Sequence, residues 1–269
     1  MNAEETRQDS PSVEDPSQDT SPVQGKKDSG PAWTRHILMP VLLSLVCLGL
    51  YLYVGSQELD TIEQRTLNAN TIITSLVQHL KITVAATIGV LIPAVGAGVL
   101  LTRPAMRRVT PGIVSVASLG QAIPSIGVLV LFALVFGIGF RYAVLGLVVY
   151  AFLPVLLNTM VGLRQVDSSV IEAGRGMGMT KMAVLFRIEL PLAVPIILAG
   201  VRTALIIVVG TAALATFINA GGMGDLINNG IKLRRTPVLL TGAVLTAVLA
   251  LGVDWVAGIA EDVLRPKGL

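Results

Sequence analysis

The sequence predicts an all-α, polytopic membrane protein of about six transmembrane helices, and three observations carry that expectation. Of its 269 residues, 53% are hydrophobic and only 14% are charged, whereas soluble domains carry about a quarter charged residues. The mean hydropathy is +0.74. The apolar residues are gathered into runs of the length a bilayer requires, about 20 residues of helix. So much apolar surface has no water-soluble way to be buried.

The chain opens on a segment rich in Ser, Asp, Glu, Gln and Pro. Residues 1–34 are expected to form a disordered acidic tail, because they have too little apolar surface to offset the entropy of ordering. The late first apolar run and the acidic leader are unlike a secretory signal. The transmembrane domain is expected over 35–269. Its first span is 37–54, with Trp33, Tyr51 and Tyr53 as interfacial anchors. The second is 82–101. The third, 113–140, is interrupted by Gly120, Pro124 and Gly127, and the fourth, 142–163, contains Pro154. The fifth, 191–218, holds Arg202, and the sixth, 238–256, ends near Trp255.

Charge sets the orientation. Residues 1–35 hold four Lys/Arg against seven acids, and the rest of the chain sixteen against ten. Short loops rich in Lys/Arg face the cytoplasm. Arg103, Arg107 and Arg108 follow span two; Arg164, Arg175, Lys181 and Arg187 follow span four. Lys26, Lys27 and Arg35 precede the first span, and Arg265 and Lys267 follow the last. Six spans put all of these on one side, with both termini in the cytoplasm. Lys232, Arg234 and Arg235 then fall outside, against the rule. No Lys/Arg stripe with interleaved aromatics is present, so nucleic acid is not an expected partner. Cys47 is the only cysteine and lies in an apolar run, which suits a small buried side chain. His36 and His79 sit at span edges and are expected to be interfacial polar residues. No metal or cofactor is expected.

The connection 164–191 between spans four and five is long. It reads Glu172-Ala173-Gly174, three residues, Gly178, nine residues, then Ile188-Glu189-Leu190-Pro191. Its small residues allow close approach to another surface, and Pro191 suits the first turn of a helix entering the membrane. The segment resembles Glu-Ala-Ala, three residues, Gly, nine residues, Ile-x-Leu-Pro, the signature of permeases in binding-protein-dependent ABC importers, with Gly174 in place of Ala. The resemblance implies a type I importer core. It implies that 164–191 is a cytoplasmic coupling loop and that Glu172, Ala173, Gly174 and Gly178 dock into the ATPase. It also implies the partners: cytoplasmic ABC ATPase subunits, a second permease subunit, identical or different, an external solute-binding protein and a small-molecule solute. The setting is the plasma membrane of a bacterium or archaeon. The chain has no Gly-x4-Gly-Lys-Ser/Thr loop for nucleotide phosphates, so it is not expected to be an enzyme.

Three further stretches are similar to glycine betaine, carnitine and choline permeases: Gly120-Gln121-Ala122-Ile123-Pro124-Ser125, Gly200-Val201-Arg202-Thr203-Ala204, and Ile218-Asn219-Ala220-Gly221-Gly222-Met223-Gly224-Asp225. They imply import of an osmoprotectant. Another small polar solute, such as an amino acid or a sulfonate, is the alternative. A self-contained secondary transporter would show inverted repeats and paired intramembrane acids, and neither is visible. An intramembrane enzyme would need a catalytic set that is also missing.

Within the spans, Pro124 removes a backbone hydrogen bond and is expected to kink span three. The freed polar groups need protein or water partners, which places Gln121, Pro124 and Ser125 along the translocation pathway; a packing kink is the competing account. Arg202 is expected to be a structural or gate residue, paired or snorkelling near the base of the bundle. Asp254 is expected at the cytoplasmic interface. Quaternary ammonium groups are held by aromatic cages, yet aromatics make up only 4% of the chain. Selectivity is therefore expected in the external binding protein.

Overall fold

The computed structural model describes residues 32–264, with side chains for 37–263. The acidic tail lies outside them except for its last residues, which begin the first helix; the side chains of Trp33 and His36 lie outside as well. Among the described residues there are α-helices and short 3-10 and π turns but no strands.

Five helices are long and apolar enough to cross a membrane, and a bent pair makes a sixth candidate. They are α1 (Ala32–Gly55), α3 (Ala69–Leu101), α6 (Phe140–Arg164), α9 (Leu190–Ala212) and α11 (Thr236–Leu264), with α4 (Thr110–Ala122) and α5 (Ser125–Phe136) as the pair. Shorter helices are α2 (Thr61–Thr66), α7 (Ser168–Gly176), α8 (Lys181–Val184) and α10 (Gly224–Lys232).

The core lies where α3, α6 and α9 meet. Ile82, Ala86, Val90 and Ala94 recur every fourth residue on one face of α3, and pack with Leu147, Ala151 and Val155 of α6 and Ala204, Val208 and Ala212 of α9. Spacing of this kind places side chains on one stripe. Glycines let the backbones approach closely, as small residues do in membrane bundles. A Cβ on Gly98 would meet Thr159 at 2.6 Å, and one on Gly89 would meet Val148 at 2.8 Å. These pairings ascend together, so α3 and α6 run parallel. Gly162 lies against Ala193 and Ile196, and Gly200 against Asn158, so α6 and α9 run antiparallel.

This direction settles the path of the bent pair. Thr110 at the start of α4 donates to Leu101 O at the end of α3, and Gly139 beyond α5 donates to Ile218 O at the end of the 3-10 turn that follows α9. The pair thus connects opposite faces of the bundle and completes six crossings. It does so as a broken element, not as the kinked single helix expected at 113–140: the two halves meet at 99°. Ile123 and Pro124 both have extended backbone, with ψ of 133°. A residue before proline is pushed out of the helical region, so the helix stops at Ala122 and restarts after the ring.

The second span also differs. α3 starts at Ala69, capped by the Asn68 side chain accepting from the Thr71 N–H at 2.8 Å, not near residue 82. Gln78, His79 and Lys81 lower the local hydropathy without ending the helix. Before it, Asp60 and Glu63 form a reciprocal capping box on α2. Asp60 also pairs with Arg235 at the start of α11. One of the three cations that broke the charge rule is neutralised in this way.

Candidate functional site

The segment after α6 forms a helical hairpin beyond the end of the bundle. Asp167 caps α7 by accepting from the Ser169 N–H at 2.8 Å. That bond, joined by the Ser169 side chain, holds the Asp167 carboxyl below its ordinary value. The cap is therefore intact at neutral pH and is lost only as pH falls through the lowered value. Helix α7 ends in a Schellman turn. The Met179 N–H reaches Gly174 O at 3.2 Å, and the Gly178 N–H reaches Arg175 O at 3.0 Å. Gly178 has φ of +86°, a left-handed conformation that an L side chain resists. The spaced glycine of the signature is thus the residue that turns the chain. Thr180 then caps α8 by accepting from the Ala183 N–H.

The four residues of the coupling expectation divide by direction. Glu172, Ala173 and Gly178 are exposed, and Gly174 is buried. A Cβ on Gly174 would lie 2.5 Å from Ile188 Cδ1. The smallness of this position lets α7 close on its own chain, and the outward face is left to Glu172 and Ala173.

Pro191 lies in the first turn of α9, as expected, but the chain is already helical ahead of it. The helical run begins at Lys181 and continues to Ile218, with a π turn at Leu185–Glu189 just ahead of the proline. Proline has no N–H for the carbonyl four residues back and its ring crowds that carbonyl. The wider turn, in which the Leu190 N–H reaches Leu185 O, absorbs the misfit. It also turns Glu189 inward, where both carboxylate oxygens accept from Arg103 at 3.3 and 2.6 Å.

The pathway candidates fall in two places. Gln121 donates from Nε2 to Tyr150 O at 3.1 Å. Tyr150 is four residues before Pro154, so its carbonyl has no N–H to accept within α6. Gln121 supplies the missing donor, and the break in one span is tied to the proline of the next. Pro124 is exposed and Ser125 half-buried at the bend. Arg202 instead faces α11. Its guanidinium donates to both oxygens of Asp254, at 2.5 and 2.9 Å, and lies 3.5 Å from Glu261. Asp254, expected at the cytoplasmic interface, is thus the partner of Arg202.

His79 is the residue the sequence placed wrongly. It is fully buried, not interfacial. Its Nε2 donates to Val209 O at 3.0 Å, and its Nδ1 accepts from the Met223 N–H at 3.3 Å. Next to it, Gln78 Oε1 accepts from the Gly222 N–H at 3.1 Å. The two side chains hold the turn after α9, in which Asn219, Gly221 and Gly222 all have positive φ. A stretch singled out by resemblance is thus fixed by two polar residues of α3.

Residues 94–265 match the family of binding-protein-dependent transport system inner membrane components. The chain belongs to that family. The carnitine transport permease protein OpuCB of Listeria monocytogenes is 39% identical over 203 residues, covering 75% of this chain and 92% of that one. The choline transport system permease protein OpuBB of Bacillus subtilis is 38% identical over 192 residues, covering 71% and 88%. A structure of the MetNI methionine ABC transporter in an inward-facing conformation superposes with a TM-score of 0.64 at 23% identity, over 72% of this chain and 96% of that one. The fold is that of an ABC-importer permease, a multi-pass protein of the inner membrane.

In this permease the Arg202–Asp254 pair joins two spanning helices. The Arg202 side chain is 36% exposed, so water and headgroups screen the pair. We expect Arg202→Glu, which sets three carboxylates together, to cost about 2 kcal/mol of stability, less than the range for a fully buried pair. The double variant Arg202→Glu/Asp254→Arg should recover at least half of the loss. Unfolding in detergent checks this; equal losses in the single and double variants would show that the pair contributes nothing.

Proposed function

We propose that the chain is the membrane-spanning subunit of an ATP-driven importer for small osmoprotectants: glycine betaine, choline, carnitine or a similar quaternary ammonium solute. The observation that carries the substrate class is the similarity, at 38–39% identity, to permeases named for carnitine and choline transport. Energy and selectivity come from partners. Cytoplasmic ATPase subunits receive the outward face of α7 through Glu172 and Ala173, with Gly178 shaping the turn and Gly174 locking the hairpin to α8. An external binding protein delivers the solute. A second permease subunit covers the bent pair, whose apolar side chains are open: Val116 is 70% exposed and Leu134 80%.

The passage runs along the bend at Gln121, Pro124 and Ser125, between the two permease subunits. Arg202, tied to α11, holds the bundle from the other side. Both termini and the coupling hairpin lie in the cytoplasm, with the His79-held turn outside. ATP-driven closure of the ATPases moves the hairpin and shifts the permease pair between inward- and outward-open states, a rigid-body switch.

The test is uptake of radiolabelled betaine, choline and carnitine in cells lacking other osmoprotectant systems, with the cognate ATPase and binding protein co-expressed. Saturable, ATP-dependent uptake of at least one is expected. Uptake of an amino acid or sulfonate with none of the three would replace the substrate class. Transport without the ATPase would overturn the proposal as a whole.

A further inference from the structure

A cavity of about 740 Å³ opens between the end of α3 and the inner side of the coupling hairpin. Its wall includes the charged Arg103, Arg175, Lys181 and Glu189 and the apolar Val99 and Leu100. Three cations against one carboxylate leave a net charge of +2. Glu189 is already committed to Arg103. Arg175 and Lys181 are exposed and have no hydrogen bond or ion pair among the described residues. Two unpaired cations on either side of a tight turn repel each other, and an anion between them removes that cost.

The wall says which anion. Leu100 lines the cavity and is 55% exposed, and one α3 face outside the core carries Ile92, Ile88 and Val84, each more than half exposed. The apolar strip on this span therefore continues from the cavity into the hydrocarbon. A ligand with a charged head and an apolar body matches both halves. A carboxylate presented by a soluble protein would use the cations and leave the apolar wall unfilled.

We propose that this cavity binds the phosphate headgroup of an anionic phospholipid, with Arg175 and Lys181 on the phosphate and the acyl chains along α3. The lipid would then bridge a spanning helix and the coupling hairpin, so that its occupancy stiffens the hairpin. This does not depend on which solute the importer carries.

The full importer complex, reconstituted in nanodiscs of mixed phosphatidylglycerol and phosphatidylcholine and then released, is analysed for retained lipid by native mass spectrometry. The intact complex should retain phosphatidylglycerol in preference to phosphatidylcholine. Arg175→Gln/Lys181→Gln should retain roughly thirtyfold less, the scale of two surface cations near an anionic headgroup. Arg175→Lys keeps the charge and should keep the lipid. Neither replaced side chain bonds to a described residue, so the lipid-free complex in detergent should unfold at the wild-type temperature. Millimolar inorganic phosphate should not displace the lipid; displacement would mean a free-phosphate site and would overturn the lipid assignment. Equal retention by the double variant would overturn the site itself. Unchanged retention together with loss of the ATPase subunits would show that the two cations serve that partner instead.

Discussion

Glu172→Lys should abolish solute uptake while leaving the amount of permease in the membrane unchanged. Glu172 is exposed on α7 and bonds to no described residue. Surface substitutions of this kind change folding stability by about 0.5 kcal/mol or less. Against a partner the sign matters more. Breaking one half of a desolvated charge pair at an interface costs about 2–5 kcal/mol, and every 1.4 kcal/mol is roughly tenfold in affinity. A reversed charge on the docking face should therefore detach the ATPase at cellular concentrations. Gly178→Trp should do the same by another route. No heavy atom lies within 4 Å of a Cβ built there, so the hairpin has room for the side chain. The indole would instead stand on the docking face, and the positive φ would add about 1 kcal/mol of backbone strain. Gly178→Ala carries the strain without the bulk and should reduce uptake only partly. Uptake assays, with a blot of the membrane fraction and co-purification of the ATPase, distinguish these outcomes. Normal uptake in both Glu172→Lys and Gly178→Trp would remove the basis for the coupling role.

The pattern of the hairpin at 164–191 was legible because it is local. A spaced glycine, a Thr cap and an Asp cap act within a few residues, and the Schellman turn at Gly178 follows from them. The apolar runs located α3, α6, α9 and α11 for the same reason. Direction was not legible. Nothing in the order Glu172-Ala173-Gly174 says that the first two face out while Gly174 meets Ile188, since that depends on a residue fourteen positions away. The bend at Pro124 was visible as an irregularity but not as two helices meeting at 99°. One proline permits either a kink or a break; here Ile123 and Pro124 are both extended, and Gln121 meets the carbonyl that Pro154 leaves open in α6. Pro191 was legible as a first-turn proline, but nothing local announced the π turn at Leu185–Glu189 that precedes it.

His79 shows where local pattern fails altogether. A histidine between Gln78 and Leu80, shortly before an apolar run, has the hydropathy of a membrane interface. Its burial comes from the turn after α9, more than 130 residues later. There α9 tightens into a 3-10 turn and the Ala213 N–H goes to Thr211 O. Val209 O is left open, and His79 Nε2 donates to it. Met223, at the start of α10, offers an N–H on the other side. A neutral imidazole carries one donor and one acceptor, which is what these two backbone groups need.

His79→Leu should consequently be among the most destabilising single substitutions in the permease. Leucine fills similar space, so little cavity forms, but a buried carbonyl and a buried N–H lose their partners together. Each unsatisfied group costs about 1–3 kcal/mol, which puts the expected loss at about 3–5 kcal/mol. His79→Gln can restore one of the two bonds and should lose about half as much. Gln78→Leu removes only the bond to the Gly222 N–H, and the turn keeps its other tie; its cost should be nearer 1 kcal/mol. The two side chains hold one turn, so the losses should not add: with His79 already gone, Gln78 holds a turn that has shifted. Unfolding of the purified protein in detergent measures these three variants and the His79→Leu/Gln78→Leu double variant. Wild-type stability in His79→Leu would mean that the turn finds other partners and that α3 does not hold it. If the losses follow the expected order, His79 is the tie that holds the end of α9 and the turn after it to α3.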